Sequence, residues 1–451
     1  MDTTASKIDF SNKQIMNLLW PLILEQLLTM AVGLADSMMV AQVGDAAVSG
    51  VSLVDSISVL MNYIFSAMAA GGVAVCGQFL GQRNDEKAKK SGHHLIMTVM
   101  VLSFGISILL YIFNAPILNN LFGKIDADVM SATTKYYLIV MASVPGIALY
   151  NGGAALFRAM EKTDITLKVS ILMNVINVGG NALMIFGMGC GVEGVAIPTL
   201  ISRWVAAIVI LGILFNKKYK LNLLGIWHFR FEKQILKNII TFGVPSGVEN
   251  GMFQLGKIIL YSYISTLGTA SMTANAIGGV MAGFHVTVGN AINLTMTTIV
   301  SQCCGAGAFD KARFYFKKLL KWAYGMGAIW IGILIALTPT ILKIYDVSPE
   351  ATHMAFIVCM MHAVSGIILW NISFVTPTFL RATGDATFTM IVSATSMWIG
   401  RVLMGVILGK YFGLGIYGVF IAHTIIDWII RSIFFVIRYK SNKWESKAIK
   451  Q

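Results

Sequence analysis

Twelve apolar runs, separated by short polar breaks, order the whole chain: residues 15–41, 49–77, 95–113, 134–157, 167–187, 191–215, 239–266, 276–301, 319–342, 351–380, 388–411 and 415–438. A helix of roughly 20 apolar residues crosses the hydrocarbon core of a bilayer. Runs such as 15–41 and 134–157 reach that length. The pattern predicts an all-α integral membrane protein with twelve transmembrane helices.

The pattern also repeats. Shifted by 224 residues, Pro21 falls on Pro245, Glu25 on Glu249, Gly44 on Gly268, Gln78 on Gln302, Gly81 on Gly305 and Ala88 on Ala312. Gly191–Trp204 falls on Gly415–Trp428, and Phe157-Arg158-Ala159 on Leu380-Arg381-Ala382 with one residue of slip. One offset kept across a whole half indicates internal duplication. The expected organisation is two six-helix lobes, residues 1–224 and 225–451. With six spans per copy both halves have the same orientation, related by a pseudo-two-fold axis along the membrane normal. Such a pair of bundles suits alternating access.

Composition agrees. Charged residues make up 12% of the chain and hydrophobic residues 56%, against about 25% charged in a soluble domain. The net charge of +13 would suggest nucleic acid in a soluble protein. Here 26 of the 34 Lys and Arg residues fall in the termini and alternate loops, while Lys124, Lys135, Lys343 and Lys410 stand on the other side. By the positive-inside rule both termini are cytoplasmic, in a multi-pass protein of the cytoplasmic (inner) membrane. The polar first fourteen residues and the long run after them read as an uncleaved signal anchor. Cys76, Cys190, Cys303, Cys304 and Cys359 have no metal-ligand spacing and read as small membrane-core residues.

Charges inside spans carry the functional signal, since each costs at least about 2.5–3.5 kcal/mol at the bilayer centre. Glu25 and Glu249 each follow a proline by four residues. Pro21 and Pro245 have no N–H, so the carbonyls of Asn17 and Thr241 lose their helical partners and the helices are expected to kink, with the acid beside the free carbonyl either making a polar binding site or pairing with Lys or Arg. Asp36 lies eleven positions beyond Glu25, about 20° around the helix and roughly 16 Å along it. Asp55 enters span 2 from the same outer side; two carboxylates there suit proton binding and release, or else Asp55 is a hydrated vestibule acid. Lys257 lies two turns beyond Glu249, either holding a carboxylate when no substrate or ion is bound, or snorkelling or stabilising packing. Asn174, Asn177 and Asn181 share one face of span 5 and point to a hydrated cleft. His285, His362 and His423 read as lone packing residues. His423 and Asp427 stand alone in span 12, and no DDxxD, HExxH or HxxxxD constellation suggests an enzyme.

These residues resemble a known family. Pro21 with Ala35-Asp36-Ser37 and Val43-Gly44, Gly81-Gln82, Asn177–Gly187, Gly194-Val195-Ala196, Gly243-Val244-Pro245 with Glu249, and Leu380–Asp385 occur in the order found in multidrug and toxic compound extrusion (MATE) transporters. The resemblance implies export of cationic or amphipathic organic compounds in exchange for Na⁺ or H⁺, with no other cofactor. It implies that Asp36 is the first-lobe acid of proton-coupled members, joined by Asn177 and Asn181 at the span-5 Asn–Asp pair. It matches Glu249 to the span-7 acid of Na⁺-linked members, a possible Na⁺ neighbour. Two departures stand out: Asn181 replaces an acid, and Trp370-Asn371 occupies the place of a span-10 acid. The expected partners are small cationic organic substrates and membrane lipids, the expected state a monomer without nucleic acid. The alternatives are a flippase for lipid-linked oligosaccharide and, further off, a membrane-embedded enzyme.

Overall fold

The computed structural model describes residues 8–123, 125–228 and 230–449; Lys7, Lys124 and Lys450 of the basic-residue pattern lie outside them. All regular structure among the described residues is helical: α1 (Asn12–Ala41), α2 (Asp45–Gly81), α3 (Asp85–Ile112), a short α4 (Asn114–Phe122), α5 (Ala127–Ala159), α6 (Thr163–Ala182) and α7 (Glu193–Leu214) in the first half. The second half holds α8 (Lys233–Ser265), α9 (Thr269–His285), α10 (Thr287–Gly305), α11 (Phe309–Ile344), α12 (Pro349–Ser365), α13 (Asn371–Thr383), α14 (Ala386–Thr395), α15 (Met404–Val406), α16 (Gly415–Ile421) and α17 (Asp427–Lys440).

π-Helical turns at Leu183–Gly187, Gly366–Trp370, Ser396–Leu403, Ile407–Tyr411 and Ala422–Ile426 join several of these into longer rods. Among the described residues, ten of the resulting rods are long and apolar enough to span a membrane. The other two of the twelve runs are α8, diluted by Gly, Ser, Asn, Gln, Glu249 and Lys257, and α9–α10, which is interrupted at Val286.

Local chemistry sets the ends. Ser11 and Gln14 form a capping box at the start of α1, each side chain accepting from the other's backbone N–H at 3.2 and 2.8 Å. Asn84 caps α3 by accepting from the Lys87 amide at 3.0 Å, and Ser348 caps α12 ahead of Pro349. The duplication extends to backbone conformation. Gly44 and Gly268, equivalent at the 224-residue offset, both turn the chain at positive φ, +124° and +98°, before α2 and α9. A side chain disfavours that region, so the glycine recurs where the turn recurs.

The chain divides into two compact units. One comprises residues 16–79 and 84–243; the other comprises 1–15, 80–83 and 244–451. In the second unit, the Phe10 amide donates to the Tyr315 hydroxyl at 2.6 Å, and that hydroxyl donates to Asp9 at 2.6 Å. Lys311 adds an ion pair to Asp9 at 3.1 Å. The Tyr315 hydroxyl and the Lys311 ammonium hold the Asp9 carboxyl below its ordinary value of 3.8.

Candidate functional sites of the two units

In the first unit, α1 and α6 bring three of the expected residues together. The Asn181 amide donates to Asp36 Oδ1 at 2.8 Å. Asn177, one turn earlier, directs its amide nitrogen at Oδ1 and Oδ2 at 3.0 and 3.1 Å, while its oxygen accepts from Thr199 at 3.0 Å. That amide orientation is the one in which both ends meet complementary partners. The position where the resemblance led one to expect an acid is therefore a neutral donor to Asp36. Asn174 does not join them; its amide donates to Ser170 at 3.4 Å.

Asp55 on α2 accepts from the Tyr136 hydroxyl at 3.3 Å. Arg203 on α7, held by a 2.8 Å hydrogen bond to Ser143, lies within electrostatic reach of Asp55, Asp36 and Tyr136. Arg203 completes this cluster of two acids and one guanidinium. Its position inside a span was the signal that could have found it.

Glu25 is buried and accepts from the Thr166 hydroxyl at 3.1 Å. The neighbouring Thr163 hydroxyl donates a bond shared between the Asn17 and Leu18 carbonyls, at 3.3 and 3.0 Å. Asn17 is the carbonyl that Pro21 frees, so a second helix supplies what the proline withholds. Pro21 and Pro245 both sit inside unbroken helices.

The equivalent acid of the second unit has different company. Glu249, 5% exposed, pairs with Arg381 at 3.0 Å and with Arg431 at 3.4 Å. Both carboxylate oxygens thus face guanidinium groups, and neither partner is Lys257. Beside this triad, Arg401 binds Asp427 Oδ2 through Nε at 2.9 Å and Nη2 at 2.5 Å, and Ser396 donates to the other oxygen. The Phe253 ring carries both guanidinium groups, Arg401 at 4.7 Å and Arg431 at 5.1 Å. Arg431 also lies over Phe374 and Phe435.

Two sequence expectations change here. Asp427 does not stand alone, because Arg401 from the preceding span reaches it. The histidines are not lone residues either. His285 and His362 share a hydrogen bond of 3.1 Å between their Nδ1 atoms, and the ring of His423 lies 5.8 Å from that of His362. Side chains from separate helices meet in both cases, which no spacing along one helix reveals. No group of three or more His, Cys, Asp or Glu suited to a metal ion occurs among the described residues.

Comparisons with known proteins match this architecture. A family model described as MatE matches residues 21–183 and 245–407, one stretch in each half. The uncharacterized transporter YisQ of Bacillus subtilis is 28% identical over 445 residues, covering 96% of this chain and 95% of the relative. A probable multidrug resistance protein NorM of Thermotoga maritima is 23% identical, over 97% and 94%. Among solved structures, a MATE protein in the straight conformation superposes with a TM-score of 0.89 at 18% identity, covering 96% of this chain and 97% of its own. A MOP superfamily transporter from Pyrococcus furiosus, described as having a binding pocket of reverse polarity, gives 0.88 at 19% identity over 97% of each chain.

Proposed function

Because this chain belongs to the MatE family, whose members are transporters and not enzymes, we propose that it exports small organic compounds across the cytoplasmic membrane in exchange for an inward-moving cation. Multidrug resistance relatives support the substrate class. These likenesses favour neither an oligosaccharide flippase nor an enzyme.

One observation carries the coupling half of the reading: Asp36 is held by two amide donors beside Asp55 and Arg203. The amides stabilise the ionised carboxylate and the guanidinium balances part of its charge, while the second carboxylate repels it. A carboxylate poised among such opposing influences suits a site that gains and loses H⁺ or Na⁺ in each cycle. Glu249 suits that task less, because two arginines already occupy its oxygens. The acids of the first unit also suit organic cations, and both termini on the cytoplasmic side suit the basic loops.

Purified protein in liposomes, given an imposed H⁺ or Na⁺ gradient and ethidium, tests the reading. Ethidium flux driven by one gradient and lost in Asp36→Asn is the expected result. Flux independent of both gradients, or undiminished in Asp36→Asn, would overturn it.

A further inference from the structure

The second unit contains more positive charge than its own acids balance. Arg381, Arg401, Arg431 and Lys257 gather around two carboxylates, Glu249 and Asp427. Three of these cations are spent on those acids. Lys257 makes no ion pair among the described residues, and it lies within electrostatic reach of Arg401 and His423.

Hydrogen-bond supply is equally one-sided. Arg431 is 1% exposed, and its Nε and Nη1 atoms have no acceptor among the described residues. The indole N–H groups of Trp398 and Trp428 have none among the described residues either. Guanidinium and indole N–H groups can only donate. A buried guanidinium with unused N–H groups is expensive unless something accepts from it.

Geometry points these groups to one place. Glu249, Phe253, Lys257, Leu260 and Ile264 follow the spacing i, i+4, i+8, i+11, i+15, a single face of α8. Phe253 on that face touches both Arg401 and Arg431. Leu260 and Ile264 pack against Met397 and Val402. Lys257 lies on this stripe with its side chain exposed at the surface of the unit, and an unpaired ammonium within a span needs water or an anion rather than lipid. Arg401 lies in the π-helical stretch Ser396–Leu403, and Asp427 directly follows another at Ala422–Ile426. Such turns re-aim side chains within a helix and recur at functional sites.

We propose that the second unit holds an anion subsite, centred on Lys257 with Arg401 and Arg431, that takes the carboxylate or other acidic group of an aromatic organic substrate. The inference deepens the exporter reading and rests on it for its physiological meaning. Transported compounds would then include organic anions and zwitterions as well as cations, the aromatic part resting on Phe253 and the neighbouring indoles.

The test is direct binding of 5-carboxyfluorescein to the full-length protein in nonionic detergent, read by fluorescence anisotropy and competed with p-aminohippurate. Saturable, competable binding is expected. Lys257→Gln should raise Kd by about tenfold or more, the loss that follows removal of one charge-assisted hydrogen bond. Lys257→Arg should keep Kd within about threefold by retaining the charge. Lys343→Gln, which removes an exposed lysine from α11 in the same half, should leave it unchanged. The proposal is overturned by an absence of saturable binding, by an unchanged Kd in Lys257→Gln, or by equal weakening in Lys343→Gln. Gradient-driven ethidium flux without carboxyfluorescein binding would sink the subsite and spare the exporter. Lys257-dependent binding without gradient-driven flux of any compound would do the reverse.

Discussion

Glu249 and Glu25 occupy the same place in the two copies, yet their replacement by glutamine should have very different costs. In Glu249→Gln one negative charge disappears from between two guanidinium groups, at 3.0 and 3.4 Å. At an effective dielectric constant near 20, unit charges 3–4 Å apart attract by about 4–5 kcal/mol. Desolvation of the buried ions offsets much of that gain, and removing one partner of a buried pair costs about 3–5 kcal/mol. Glutamine keeps one oxygen to accept from an arginine, which places the loss near about 3 kcal/mol, roughly a hundredfold in the folding equilibrium. Glu25 accepts from the neutral Thr166 hydroxyl, and glutamine preserves an acceptor, so that loss should be about 1 kcal/mol or less. Thermal unfolding in nonionic detergent, followed by tryptophan fluorescence and by size-exclusion chromatography after heating, measures the contrast. A melting temperature for Glu249→Gln equal to wild type, or a larger fall for Glu25→Gln, would refute the ion-triad account. Unchanged stability with loss of Na⁺-dependent efflux would return cation ligation to Glu249.

Asn181→Ala removes the 2.8 Å donor to Asp36, a charge-assisted bond with a net contribution of about 1.5–3 kcal/mol; gradient-driven flux should fall by about tenfold or more, and flux equal to wild type would exclude a role for that amide. Gly81→Ala puts a methyl group into the backbone carbonyl of Gln302, where α2 and α10 approach each other. Overpacking of this kind costs about 1–3 kcal/mol, and a wild-type melting temperature would contradict it. The Asp9 carboxyl titrates below its ordinary value in the folded chain. Its hold on the N-terminal segment is therefore fully present above about pH 3.8 and is lost as the pH falls through the lower folded value. Hydrogen exchange at the Phe10 amide, corrected for its intrinsic rate, should accelerate in that acid range, and Asp9→Asn should abolish the dependence.

Features that follow from periodicity were legible in the sequence. The apolar runs mark the cores of the helical rods, whose polar first turns extend up to ten residues earlier, as in α3 and α11, and the 224-residue offset survives in the paired glycine turns at Gly44 and Gly268. The Asn stripe was legible too, because residues three and seven apart share a helix face; Asn177 and Asn181 do converge on Asp36. Spacing does not reveal what stands opposite a face. Asn174 shares the stripe but meets Ser170. Arg431 and Arg381 reach Glu249 across 182 and 132 positions, and Arg401 reaches Asp427 across a turn between spans. Such pairings depend on which helices pack side by side and at what depth. Interruptions such as the break at Val286 and the π-helical turns are also hidden, since each changes the helix by about one residue, less than apolar periodicity resolves.

The carbonyl a proline frees is usually counted as a property of the helix that carries it. In α1 it belongs to two helices at once. The carbonyl that Pro21 leaves open at Asn17 is closed by a hydroxyl on α6, and the same Thr163 reaches Leu18. Any bending at Pro21 changes where those carbonyls point, so it must either carry the start of α6 along or break the bond that the Thr163 hydroxyl shares between them. Thr166, one turn further into α6, holds Glu25, and Asn177 and Asn181 near the other end hold Asp36. The two helices are thus fastened at three heights, like a ladder with polar rungs. Substitutions at the Asp36 end and at the proline end therefore act on the same pair of helices.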